Sequence, residues 1–224
     1  MKAWLKALRA LIWKDLLHEW RSREMLTAML AFAVLVLFVF NYAMALNPKA
    51  RAEIAPGIIW VVLIFAGSLG LNRSFTAEQD QGCFDGLLLA APDLSLIYLA
   101  KAISNFLFML ALAVFIVPLY SLLYNQSLFL PGLYLVLALG AWGYSAVGTL
   151  IASMTVQTRL RDLLLPVLLF PLLIPLLMAV VKASSAILAG LPLSEVQVWL
   201  NLVVVYDIIF STAAYLVFEY VIKE

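Results

Sequence analysis

From Ala102 to Thr158 the chain runs for 57 residues without an Asp, Glu, Lys or Arg. A soluble domain would have to turn half of such a stretch toward water. A bilayer accepts it, and because one crossing takes about 20 apolar residues, the run is long enough to cross, turn and return. The turn signal stands where it is needed, at Tyr124-Asn125-Gln126-Ser127 followed by Pro131-Gly132. The same reading along the chain predicts six spans: Leu26–Leu46, Pro56–Leu71, Ala102–Leu123, Gly132–Met154, Leu163–Val181 and Val198–Val221. Three polar pieces interrupt them. One is the segment up to Glu24, one is the loop Asn72–Lys101, and one is Lys182–Gln197, expected to form short helical pieces at the membrane interface.

Composition agrees with an all-α polytopic membrane protein of six transmembrane helices. The chain is 66% hydrophobic and 12% charged, where soluble domains carry about 25% charged residues. The net charge of +1 says little, but its distribution sets an orientation. Of 14 Lys and Arg, 11 fall on the side of the N-terminus and three (Lys49, Arg51 and Lys182) on the other. Cytoplasmic loops carry the excess of basic residues, so both termini are expected in the cytoplasm. The division is then a connecting helix over 1–25 and a permease body over 26–224, with a cytoplasmic coupling loop at 72–101. The basic N-terminal stretch precedes a segment long enough to span, which reads against a cleavable signal peptide. Cys83 is the one cysteine and His18 the one histidine. They leave no disulfide framework, no metal site and no pair of haem ligands within the bilayer. No catalytic constellation and no nucleic-acid-binding pattern appears.

Four features remain as candidate chemistry. In the N-terminal segment Trp4, Leu5, Leu8, Leu11 and Ile12 share one side of a helix and Lys2, Lys6 and Arg9 the other, the pattern of a helix lying along a membrane surface. The register fails after Lys14, where Asp15 and Glu19 fall on the apolar side, and a bend is expected before the first span. The loop Asn72–Lys101 is the densest polar segment. Thr76 with Gln79 resembles a capping box and a short helix start. Its residues Phe75, Glu78, Asp80, Phe84 and Asp85 are candidates for presentation to a cytoplasmic partner. The fifth span carries Pro166, Pro171 and Pro175, which remove backbone donors; such breaks survive in a membrane where neighbours satisfy the freed carbonyls, so a hinge or an interior-facing helix is expected. Asp207 is the acid deep inside a span, a costly placement that usually faces a protein interior, with Tyr206, Ser211 and Thr212 near in sequence as partners. Small residues in the fourth span (Gly140, Ala141, Gly143, Ser145, Ala146, Gly148) and at Ala66 and Gly70 predict close helix packing.

No Gly-x-x-x-x-Gly-Lys-Ser/Thr occurs, so the chain has no phosphate-cradling loop, and active transport would need ATP hydrolysed by another polypeptide. The stretch Phe65-Ala-Gly-Ser-Leu-Gly-Leu-Asn-Arg-Ser-Phe-Thr-Ala-Glu-Gln-Asp, then Gly82 and Asp85-Gly86-Leu87-Leu88-Leu89-Ala90-Ala91-Pro92, resembles the CcmB family, the haem exporter protein B permeases of cytochrome c maturation. Trp13-Lys14-Asp15 and the prolines of the fifth span look like the same family. The resemblance implies a type-2 ABC exporter-like permease in the bacterial inner membrane, working as a homodimer with a cytosolic ATPase subunit (CcmA), with CcmC and CcmD, and with the haem chaperone CcmE. It implies haem as the candidate substrate rather than a bound cofactor. It maps the coupling helix to Glu78–Asp85 and the connecting helix to the N-terminal segment. Two other readings stand beside it: a permease of the same fold for a lipid-linked or drug-like substrate, and a membrane scaffold that transmits ATPase motion without moving a substrate.

Overall fold

The computed structural model describes residues 2–43, 48–80, 94–156, 158 and 160–223. These form seven helices: α1 (Lys2–Ser22), α2 (Glu24–Ala43), α3 (Pro48–Asp80), α4 (Leu94–Tyr124), α5 (Pro131–Thr155), α6 (Arg161–Leu188) and α7 (Leu193–Lys223). No strand occurs among the described residues. All but α1 contain a segment long and apolar enough to cross a membrane, so the six expected spans are present. The turn between α4 and α5 falls at Asn125, whose φ of 53° is a left-handed value that Asn tolerates better than most residues.

Two spans form the centre. The apolar stretches of α3 and α5 are each 72% buried, against 22% for α2 and for α7. Around α5 pack α4, α6 and α7, while α3 lies between α2 and α6. Small residues make this closeness available, as the sequence predicts. Gly140 lies against the indole of Trp60 and Val180, and Gly148 against Leu71; Gly70 lies against the thioether of Met29. Hydrocarbon supplies no water, and several buried polar groups pair between helices. Trp60 Nε1 donates to Ser184 Oγ at 3.0 Å, joining α3 to α6. Asn105 Nδ2 donates to Thr149 Oγ1 at 3.0 Å, and Tyr98 Oη to the Ala146 carbonyl at 3.1 Å, both joining α4 to α5. Tyr124 Oη donates to the Leu37 carbonyl at 3.0 Å, joining α4 to α2.

Two boundaries differ from expectation. Thr76 starts no helix: α3 runs without a break from its span through Asn72 to Asp80, because tertiary support from the span carries the helix past a local start signal. The segment Lys182–Gln197 forms no separate interfacial pieces. Lys182 is inside α6, Gln197 inside α7, and a short turn around Gly190, with φ of 68°, links them.

A methyl group at Gly140 would enter the Trp60 ring, whereas one at Gly57 meets nothing within 4 Å. Gly140→Ala is therefore expected to cost about 1–3 kcal/mol through overpacking, and Gly57→Ala to be neutral or mildly stabilising. Thermal unfolding of both variants in one detergent checks the contrast.

Candidate functional site: a polar clamp at one end and an acid within the bundle

The basic end of the molecule is held by side chains that the helical pattern of α1 places out of register. Asp15 and Glu19 stand four residues apart and so share one face of α1. That face is turned inward, against α4. Asp15 Oδ1 lies 3.3 Å from Lys101 Nζ of α4, a lysine only 4% exposed. The same ammonium donates to the Ser74 carbonyl of α3 at 3.2 Å and sits 5.5 Å over the centroid of the Phe75 ring. Lys14 also approaches Asp15, at 3.4 Å. One buried cation thus ties α1, the end of α3 and the beginning of α4, which are the two helices flanking residues 81–93. Buried ammonium groups persist only when paired, and this one has a carboxylate, a carbonyl and a ring face.

Glu19 has a different duty. It is buried, and its Oε1 accepts the Leu26 N–H at 2.7 Å, satisfying a donor in the first turn of α2 that otherwise has no partner. Between the two helices Arg23 takes a φ of 55°, and its N–H donates to the Glu19 carbonyl at 2.8 Å. The bend expected after Lys14 is therefore at Arg23. The failure of apolar register at Asp15 and Glu19 marks two inward acids with defined partners. At the same end Asn72 Nδ2 donates to Asp162 Oδ1 at 2.6 Å, and Arg73 to the Glu24 carbonyl at 3.4 Å, so the end of α3 also touches the starts of α6 and α2.

Of the residues expected to face a partner, Phe75 is 1% exposed. Its ring lies inside the chain beneath Lys101, because α3 continues as a packed helix there, and it cannot fill a partner's groove in this conformation. Glu78 and Asp80 lie in the last turn of α3. Phe84 and Asp85 lie outside the described residues.

Within the bundle, Asp207 of α7 is 6% exposed, facing the interior. Two of the three neighbours expected to satisfy it are engaged elsewhere, and the third, Thr212, is exposed. Tyr206 Oη donates to the Leu172 carbonyl of α6 at 3.1 Å, and Ser211 Oγ accepts Trp142 Nε1 of α5 at 3.1 Å. Both carboxyl oxygens of Asp207 lack a hydrogen-bond partner among the described residues. Its Oδ1 lies where a side chain on Gly143 would stand, with Leu176 of α6 alongside. Pro166, Pro171 and Pro175 all fall inside an unbroken α6, and Pro171 and Pro175 lie on its exposed face. The helix is peripheral rather than interior-facing. Pro175 cannot donate to the Pro171 carbonyl four residues before it; the next carbonyl, of Leu172, additionally accepts the Tyr206 hydroxyl from α7.

A bundle of six spans, with the acid Asp207 inside and a clamped charged end, is a polytopic membrane permease in class. The chain belongs to the CcmB family, whose model, described as CcmB protein, matches residues 6–220. It is 31% identical over 181 residues to heme exporter protein B of Pseudomonas aeruginosa, covering 80% of this chain and 81% of that one. It is 28% identical over 187 residues to heme exporter protein B of Bradyrhizobium diazoefficiens, covering 83% and 84%. With the Rhodobacter capsulatus protein of the same name identity is 30% over 169 residues, covering 73% and 76%.

Because Asp207 gives up no hydrogen bond, the near-isosteric Asp207→Leu is expected to match or exceed the parent in thermal stability, since replacing a buried unsatisfied polar group removes its desolvation cost. Asp207→Asn is expected to retain function better than Asp207→Leu. Melting temperature and cytochrome c yield, measured on the same two variants, check this. Normal yield with Asp207→Leu would make the residue incidental.

Proposed function

We propose that this chain is the permease subunit of an ABC complex that handles haem for cytochrome c maturation in a bacterial inner membrane. Its relatives are named heme exporter protein B, and the chain carries no phosphate-binding loop of its own. ATP is then hydrolysed by a separate cytosolic subunit, CcmA, and the assembled complex includes CcmC and CcmD and serves the haem chaperone CcmE. Residues 1–25 act as the connecting element and 26–224 as the permease body.

The observation that carries this reading is the Lys101 clamp. Force applied to residues 81–93 by a docked ATPase arrives at Asp80 and Leu94, the ends of α3 and α4. Lys101 holds those two helices to α1 through Ser74, Phe75 and Asp15. A push on the loop is thereby shared among three helices instead of dissipating in one. Glu78, Asp80, Phe84 and Asp85 supply the docking surface, while Phe75 stays inside the chain under Lys101. Replacing Glu78–Asp85 with Gly-Ser is expected to abolish co-purification of the ATPase with the permease still inserted. Phe84→Ala is expected to weaken co-purification at unchanged stability. Phe75→Ala is expected to cost about 3–5 kcal/mol as a core truncation. ATPase binding that survives the Gly-Ser replacement would refute the coupling role.

The outer surface of α3 supports a homodimer. Val61, Phe65 and Leu69 recur every four residues, are 41–44% exposed, and lie on the helix flanked by α2 and α6. This strip, with the outer faces of α2 and α6, is the surface on which a second copy packs to enclose a pathway. Single cysteines along α2 and α6 should crosslink between copies, and a complex with one permease throughout would exclude it. Hinge motion of α6 at Pro166, Pro171 and Pro175 then occurs at that interface.

The orientation proposed has both termini in the cytoplasm, from the 11 basic residues on that side. Reporter fusions at Asn125 should read periplasm and those at Gln79 cytoplasm; the reverse would invert the assignment.

A further inference from the structure

The clamp and the cap leave α1 with a one-sided charge. Its two acids are both spent inward, Asp15 on Lys101 and Glu19 on the Leu26 N–H. The opposite face carries Lys6, Arg9, Trp13 and Trp20, spaced at i, i+3, i+7 and i+14 and therefore on one stripe of a helix, with Arg21 beside it. All five are exposed, and the two indoles are exposed to 64% and 76%. No acidic residue of α1 falls on this stripe. The apolar side that the sequence suggests for a membrane surface is partly covered, with Leu5 still 53% exposed, and the basic and aromatic stripe is the more exposed face that α1 offers to its surroundings.

We propose that the Lys6–Arg9–Trp13–Trp20–Arg21 face of α1 is a binding surface for anionic phospholipid headgroups. Three features of the chain select a lipid surface over a cytosolic protein. Trp20 stands four residues before Glu24, where α2 begins, and so lies where the chain enters the bilayer. Tryptophan settles at headgroup depth, its ring in the apolar boundary and its N–H toward water. Arginine forks onto phosphate oxygens in a bidentate way, and here Arg9 and Arg21 flank the two indoles on a face that carries neither acid of α1. The surface is independent of the haem and ATPase assignments, and it predicts that the connecting helix senses leaflet composition.

The test uses the full chain in nanodiscs of phosphatidylcholine containing a minor fraction of phosphatidylglycerol, with acyl-chain bromine placed on one lipid or on the other. Tryptophan quenching is expected to be greater when bromine is on phosphatidylglycerol. That excess should vanish in Trp13→Phe/Trp20→Phe, which locates it to α1. It should fall about fivefold for each of Arg9→Gln and Arg21→Gln, the share of attraction one basic residue contributes near an anionic surface, and should survive in Arg9→Lys. Equal quenching from both lipids would overturn the proposal, as would an excess that persists without Trp13 and Trp20. Indoles unquenched by either lipid, yet shielded from aqueous iodide when the ATPase subunit is added, would assign the face to a protein instead.

Discussion

A bilayer interior offers no water to a polar group left without a partner, and this constraint organises the whole molecule. Several indoles and hydroxyls that enter the bundle take their partner from another helix, and for these hydrogen bonding and tertiary packing are the same event. Trp60 illustrates it. Its ring fills the space left by Gly140 of α5, and its N–H reaches Ser184 of α6, so one side chain fixes three helices. The central position of α3 and α5 follows from such contacts, since each meets partners on most of its circumference. The peripheral spans keep one side for lipid or for another chain.

Much of this was legible in the sequence because the signals were long. A 57-residue uncharged run leaves little choice of fold class, and the glycines of α5 announce close approach without saying to what. Asn125 marked its turn. The ends of helices were harder to see. Thr76 looks like a start only to a local rule, and the helix from the preceding span overrides it. The prolines of α6 suggested a hinge or an interior helix, yet Pro171 and Pro175 lie on its exposed face and the helix runs through all three prolines without a break.

The clamp was hidden for a different reason. Lys101 reads as a loop-end cation that contributes to topology, and Asp15 as an interruption in an amphipathic pattern. They are 86 positions apart, and nothing in either neighbourhood names the other. What the pattern did contain was the anomaly itself: two acids on the wrong side of α1. Each proved to be a fixed contact, one to α4 and one to the first turn of α2. Asp207 was legible as an interior acid from its position alone, but of the neighbours that sequence proximity suggests for it Tyr206 and Ser211 bond to other helices.

The left-handed residue at Arg23 gives α1 the geometry of a lever. α1 and α2 are joined through one backbone position of unusual φ, braced by the Glu19–Leu26 hydrogen bond, which serves as the fulcrum. Asp15, where α1 is gripped, is about 12 Å along the rod from there, and the far end at Lys2 about 31 Å, at 1.5 Å per residue. For a rigid rod, a displacement of about 1 Å at Lys101 becomes about 2.6 Å at the tip. The basic and aromatic stripe occupies the length of that arm, so small movements at the grip would sweep the headgroup layer over a larger path, and drag from that layer would be felt at the grip with the same ratio in reverse.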